Sequence, residues 1–246
     1  MSANGLILYE GPSMLDGAPI VVIATGIKTG STNAKTGAMI QTYILRSDMP
    51  PADAIRAGED ASICGGCTHR GDGTGKQRSC YVTIMHGPRG VYAAYKRGSY
   101  PRADLGFSYD EVINTFKDRM VRLGTYGDPV AAPIEMWQAV LMRASGWTGY
   151  THQWRSSISS AWPLLVMASA DSETDMADAH ALGYRTFRVT PIGEGPIKGT
   201  EIVCPASHEA GQKVECIDCK ACMGTSAKAR VSIQIMAHGT GKRYVE

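Results

Sequence analysis

Four cysteines stand close together near the end of the chain: Cys204, followed by proline, and then Cys216-Ile217-Asp218-Cys219-Lys220-Ala221-Cys222. Two residues between cysteines is the spacing of a tight metal-binding turn, and a fourth thiolate can arrive from a nearby loop. Zinc in a tetrahedral four-cysteine site satisfies this pattern. A [4Fe-4S] cluster satisfies it equally, because a Cys-x2-Cys-x2-Cys run with a remote Cys-Pro is also a cluster-ligating arrangement. Three further cysteines form a second group, Cys64-Gly65-Gly66-Cys67 closed by Cys80. His69 and His86 are candidate fourth ligands there, and three cysteines alone would suit a four-iron cluster with one open iron. A closed cysteine site that only pins the loop Arg70 to Ser79 is the commoner arrangement, and a structural knuckle is the expectation. That loop carries Arg70, Lys76 and Arg78 among glycines, so a solvated loop is expected and a phosphate-contacting one is its alternative.

A second set of reactive side chains follows stretches that read as strands. Asp128 comes with Tyr126, His152 with Trp154 and Arg155, Asp171 with Ser172, and Arg188 with Thr190; His238 follows the last apolar run. Two carboxylates, a histidine and an arginine at one opening can perform acid/base or nucleophilic work at a sugar carbon. A carboxylate nucleophile suits an anomeric centre because the covalent sugar ester it forms can be reversed. Each residue also has a plain reading. Asp128 before Pro129 starts a turn, Asp171 beside Ser172 assists a helix cap, and Arg188 marks one face of a strand. Trp137 and Trp162 read as core.

Composition limits the scaffold that can hold these groups. The 246 residues, 43% hydrophobic, can bury one substantial core and read as a single domain. A net charge of +2 and pI near 8.1 neither demand nor exclude a polyanionic partner. No apolar run reaches the length of a membrane span, and no basic-then-hydrophobic leader opens the chain, so a cytoplasmic protein is expected. In a reducing cytoplasm, clustered cysteines argue for metal over disulfides.

Residues 1–107 read as strand-rich. Leu6 to Tyr9, Ile20 to Ala24 and Met39 to Leu45 are strands, and Ala52 to Ala57 is a short helix. Gly26 to Gly37 reads as a solvated hairpin loop, with a phosphate-contacting loop as its alternative although it lacks a Walker spacing. Tyr81 to Met85 and Val91 to Tyr95 read as paired strands around a His86-to-Gly90 turn. Lys96, Arg97 and Arg102, interleaved with Tyr92, Tyr95 and Tyr100, make a basic and aromatic patch of the kind that suits a nucleic-acid backbone, although a surface strand is the default. From 108 to 190 helices and strands alternate. Ser108 and Glu111 form a capping box for a helix to Lys117, and Met120 to Leu123 is a strand. Pro133 opens a helix to Ala144, Gly149 to His152 is a strand end, and Leu164 to Ala168 is a strand. Ser172 caps a helix that Gly183 stops, and Arg185 to Thr190 is the next strand. Residues 191–246 hold the cysteine-rich segment and a last strand, Val231 to Ala237. Parallel β/α units of this kind predict an α/β fold, a distorted or partial β/α barrel with a cysteine-rich metal-binding C-terminal segment, its polar groups gathered where the strands end.

Strand-end aspartates with Cys216, Cys219, Cys222 and downstream His238 resemble the tRNA-guanine transglycosylase superfamily, over roughly residues 108 to 238. The resemblance is to its small phage-type members that exchange guanine in DNA for a 7-deazaguanine. Their zinc site is Cys-x-Cys-x2-Cys with a downstream histidine; here the first gap is two residues and Cys204 is extra. What the resemblance implies is a DNA or other nucleic-acid substrate, a small 7-deazaguanine base, zinc, and a host cytoplasm. Asp128 or Asp171 would attack C1′ and the other would relay a proton. His152, Tyr126 and Trp154 would shape the base pocket, Arg155 and Arg188 would hold substrate, and the base would be flipped or single-stranded. A second expectation is an iron–sulfur enzyme with both cysteine groups loaded. This resembles the barrel of radical S-adenosylmethionine enzymes, whose usual motif is Cys-x3-Cys-x2-Cys. A third is a non-catalytic, metal-stapled nucleic-acid binder with salt-sensitive affinity.

Overall fold

The computed structural model describes residues 3–103, 109–156, 160–226 and 231–245. Ser108, the expected capping residue, lies outside them. Among the described residues, ten strands divide between two five-stranded sheets. The first is mixed, in the order β1 (Gly5–Pro12), β2 (Pro19–Thr25), β3 (Ile40–Arg46), β4 (Met120–Tyr126) and β5 (Gly146–Thr148). Its first three strands pair antiparallel and the rest parallel. The second is wholly parallel: β6 (Tyr150–Thr151), β7 (Met167–Ala170), β8 (Thr186–Thr190), β10 (Ser232–Met236) and β9 (Glu201–Val203).

The expected α/β class holds, and the strands fill two sheets. Among the described residues no ladder joins them into a closed ring. Gly149 stands between β5 and β6, where the chain leaves one sheet for the other. Its amide donates to the Cys222 carbonyl and its carbonyl accepts from Met167, so the crossing point is fastened to the cysteine-rich segment and to β7. A strand buried on both faces reads as a near-continuous apolar run, whether its neighbours are antiparallel, as for β2, or parallel, as for β10. Ile20 to Ala24 in β2 are all fully buried, as are Ile233 and Ile235 in β10 almost completely. The larger core joins β2, β3 and β4 to Trp137, Trp154 and Trp162. A smaller one packs Met167, Ile233 and Ile235 against Cys204 and Cys222.

Helices α1 (Pro51–Ala57) and α2 (Ala61–Cys64) follow β3, and α2 ends on the first cysteine of its group. Val91 to Tyr95 belongs to helix α3 (Gly87–Lys96), and Tyr81 to Met85 forms no strand. Pro88 in the first turn is a helix-opening residue, and the helix buries Val91 and Tyr92 on one face. Its basic and aromatic neighbours are partly spent internally: Tyr95 Oη donates to Glu10 at 2.7 Å, Arg102 pairs with the same carboxylate, and Lys96 lies over the Tyr92 and Tyr95 rings.

Helix α4 (Tyr109–Phe116) precedes β4, and α5 (Ile134–Leu141) follows it with Trp137 inward. Leu164 and Leu165 belong to the short helix α6 (Trp162–Leu165), so the strand after it begins at Met167. Helix α7 (Glu173–Ala181) is capped by Ser172, whose Oγ accepts the Asp175 amide at 3.0 Å. Strand β9 and the single turn α8 (Cys216–Cys219) had no recognised signal in the sequence. No helix among the described residues is long and apolar enough to cross a membrane.

Candidate metal and substrate cavity

All seven cysteines line one cavity of about 400 Å³ that lies between the carboxyl ends of β4, β6, β8 and β10. Cys64 closes α2 and Cys67 opens the short 3₁₀ turn Thr68–Arg70. The loop that follows is pinned: Arg70 donates to Asp60, to the Gly65 carbonyl and to the Gly58 carbonyl, and Arg78 pairs with Asp60 at 3.1 Å. Arg70 therefore fastens the knuckle and is not presented to a phosphate. On the other side, the loop Gly26 to Gly37 packs on the cysteine-rich segment. The Cys216 amide donates to the Lys35 carbonyl at 2.9 Å, and the Gln212 side chain donates to the Ala34 carbonyl at 3.0 Å.

Burial raises the thiols of Cys64, Cys80, Cys204 and Cys216 above their ordinary value and pushes Cys222 up to about 12. Buried thiolates need compensating positive charge, which a metal ion supplies most directly. The cavity wall supplies some itself. Arg78 acts on Cys80 and Cys64, Lys35 on Cys204 and Cys216, and Arg122 on Cys216. Arg122 is enclosed by protein yet keeps accessible surface, because its guanidinium faces the cavity; its hydrogen-bond partner there is Tyr81 Oη.

Sulfur spacing bears on both metal expectations. Four thiolates on one tetrahedral zinc stand roughly 3.8 Å apart, given zinc–sulfur bonds of about 2.3 Å. Among the described residues no three cysteine sulfurs lie within 4.8 Å of one another. His238 does not complete such a set either: its Nδ1 is 3.3 Å from the Met236 carbonyl and its ring lies against Tyr81.

The strand-end residues do come together. Asp128 is buried after β4, where Gly127 adopts φ +85° and a Cβ would meet the Ile44 side chain at 2.7 Å. The Asp128 carboxylate accepts from the Val130 amide, from Thr151 Oγ1 and from the His152 amide, all at 2.9–3.0 Å. Burial raises its pKa, and those three donors work against the rise. This carboxylate is spent on holding the ends of β4 and β6 together. Asp171, after β7, accepts from Thr68 Oγ1 at 2.8 Å and faces both His69 and His152. Burial would raise its carboxyl, but His152, His69 and Thr68 outweigh burial and hold it at about 2. Burial lowers His69, whereas for His152 the nearby Cys67 and Asp171 overcome burial and lift the imidazole well above its usual value.

Other expected site residues are placed elsewhere. Trp154 is buried, and its Nε1 donates to the Ser169 carbonyl. Arg155 stacks on that ring and pairs with Asp175 and Asp178 on the surface. Arg188 is buried in β8 between Glu201 and Glu194, so it braces the second sheet. Tyr126 does line the cavity, and its buried hydroxyl lacks a hydrogen-bond partner among the described residues. Arg122, Tyr150 and His69 also line it. Arg122 and Tyr150 carry no recognisable side-chain pattern in the sequence, whereas His69, two residues after Cys67, reads there as a candidate ligand of the Cys64/Cys67/Cys80 group. Comparison with known proteins finds no relative: no family model, no curated protein and no solved structure matches this chain.

Proposed function

We propose that the chain is an iron–sulfur enzyme acting on an anionic, nucleotide-like substrate in a reducing, cytoplasmic compartment. Cys204, Cys216, Cys219 and Cys222 would hold one four-iron cluster, and Cys64, Cys67 and Cys80 a second with one iron open to the cavity. The observation that carries this reading is the arrangement of sulfurs: seven thiols line one cavity, and no three approach the separation that a zinc site imposes. A cluster with an open iron supplies reductive or radical chemistry when bound. The chain's own residues bind and orient. Lys35, Arg78, Arg122 and Lys220 bring positive charge to the wall, and Tyr81, Tyr150 and Phe187 bring ring faces on which a base can stack. The lone Tyr126 hydroxyl is free to hydrogen-bond to a bound group. Anaerobic purification followed by iron, acid-labile sulfide and zinc analysis tests this. Brown protein with iron and sulfide in near-equal amounts is expected; colourless protein with zinc alone would refute it.

Exchange of guanine for a 7-deazaguanine through an aspartate nucleophile is the second reading. One observation favours it: Asp171 stays ionised beside the cavity. It is the weaker reading because the Asp128 carboxylate is already held by four donors, from Val130, Thr151, His152 and, at 3.4 Å, the Gln153 side chain, which leaves no partner carboxylate to relay the proton. Base exchange by the zinc-loaded protein, abolished in Asp171→Asn, would reverse the order.

A further inference from the structure

Three side chains outside the cysteine groups converge on one point at the edge of the cavity. His69 comes from the turn after Cys67, His152 from the end of β6 and Asp171 from the end of β7, and their ligand atoms all lie within 4.8 Å of one another. We infer that they form a separate site for a single divalent transition-metal ion, bound through His69 Nε2, His152 Nε2 and the Asp171 carboxylate.

The distances carry the argument. His69 Nε2 is 3.5 Å from Asp171 Oδ1, and His152 Nε2 is 3.6 Å from Asp171 Oδ2. Direct N–H···O hydrogen bonds to a carboxylate close to about 2.7–2.9 Å, so both gaps are long for a simple relay. Two ligands at tetrahedral positions around one ion stand roughly 3.4 Å apart, given metal–nitrogen and metal–oxygen bonds of about 2.0–2.2 Å. Each histidine nitrogen stands close to that separation from one oxygen of the Asp171 carboxylate, His69 from Oδ1 and His152 from Oδ2. The outer contacts are those of a built site. His69 Nδ1 is paired with Ser79 Oγ at 2.7 Å, which leaves Nε2 to face inward, and Thr68 Oγ1 fixes one Asp171 oxygen at 2.8 Å. The His152 amide is anchored on Asp128.

Two imidazoles and one carboxylate select a borderline divalent ion such as iron(II) or zinc over magnesium or calcium. Both histidines line the cavity, so the unfilled coordination positions face it, where a water or a substrate oxygen could bind. The site does not depend on the cysteines being loaded, and Cys67, 4.0 Å from His152 Nε2, places it directly beside their group.

Cobalt(II) is the probe, added to the full chain after anaerobic purification, with iron and sulfide assayed in parallel. The His69→Ala/Asp171→Asn double variant is expected to bind one cobalt fewer per chain than the parent, with iron and sulfide content unchanged. Asp171→Asn alone, which retains the Thr68 contact, is expected to weaken that cobalt at least tenfold should the double variant fail to fold. Equal cobalt stoichiometry and affinity in parent and variants would overturn the inference. The iron and sulfide assay reports separately on the cysteine groups.

Discussion

The Asp128 carboxylate accepts the backbone N–H of His152 at 2.9 Å across the ends of β4 and β6, the points where the two sheets approach one another. Thr151 Oγ1, the Val130 amide and, at 3.4 Å, the Gln153 side-chain amide complete its shell. Asp128→Ala leaves three buried donors without an acceptor, each costing about 1–3 kcal/mol when unmade. A loss of roughly 3 kcal/mol or more in urea denaturation is expected, with the asparagine variant losing less. A stability change under 1 kcal/mol in Asp128→Ala would show that the carboxylate does not join the sheets.

Arg188 belongs to the same kind of structural group. Its guanidinium is buried against Glu201, itself fully enclosed, at 2.7 Å, with Glu194 on its other side. Removing one partner of a buried pair costs about 3–5 kcal/mol because the other charge is left uncompensated. Arg188→Ala is expected to lower soluble yield and melting temperature. Arg188→Met/Glu201→Leu is expected to recover most of that loss, and failure of the double variant to exceed the single one would contradict this account.

The acid side of the stability profile can be read from Asp48. Hydrogen bonding to Arg46 holds its carboxyl below the ordinary value, partly offset by burial. A depressed carboxyl stabilises the fold above its unfolded pKa of about 3.9, and that contribution is lost as pH falls through the folded value. Asp48 is 44% exposed, so solvent screening limits the gain to under about 1 kcal/mol. Asp48→Asn is expected to lower stability slightly at pH 7 and to converge with the parent near pH 2. A gap between them that persists undiminished at pH 2 would assign the effect to something other than this charge.

These residues also show what was legible in the sequence. Asp128, His152 and Asp171 were placed at strand ends by apolar runs that stop at turn residues, and such runs survive into the structure because buried parallel strands tolerate little polar interruption. The partition into two sheets was not legible, because it turns on Gly149, one residue inside an otherwise continuous strand pattern. Helix α3 was misread because Val91, Tyr92 and Tyr95 also suit a strand; Pro88 was the stronger signal. Arg155 and Arg188 read as substrate contacts in the sequence because a charged residue beside a strand end looks functional until its acidic partners, Asp175 and Glu201, are brought to it by the fold. The meeting of His69 with Asp171 spans about a hundred residues, and spacing along the chain carries no information at that range.

Ser79→Ala isolates the outer contact of the histidine site. Ser79 Oγ pairs with His69 Nδ1 at 2.7 Å and so fixes which nitrogen faces the ion. Loss of such a contact typically weakens metal binding about 10–100-fold without removing a ligand. Weaker cobalt affinity with unchanged stoichiometry is the expected result of a titration. Unchanged affinity would mean that the imidazole is oriented by the knuckle backbone alone.

Tyr126 offers the sharpest separation of stability from function. Its hydroxyl is buried at the cavity wall without a partner among the described residues, while its ring packs in the core formed by β3 and β4. Burial drives its pKa well above the usual phenol value, so it is a neutral donor at any physiological pH. An unsatisfied buried hydroxyl is a liability of about 1–3 kcal/mol unless something binds it. Tyr126→Phe keeps the ring and removes that liability, so the free protein is expected to become no less stable, or more stable by up to about 1 kcal/mol. If the hydroxyl serves a bound group, the same variant is expected to bind or turn over that group less well. Calorimetry of parent and variant, each with and without reconstituted iron and sulfide, reads both effects. A variant less stable than the parent in both states would mean that the hydroxyl is satisfied within the fold.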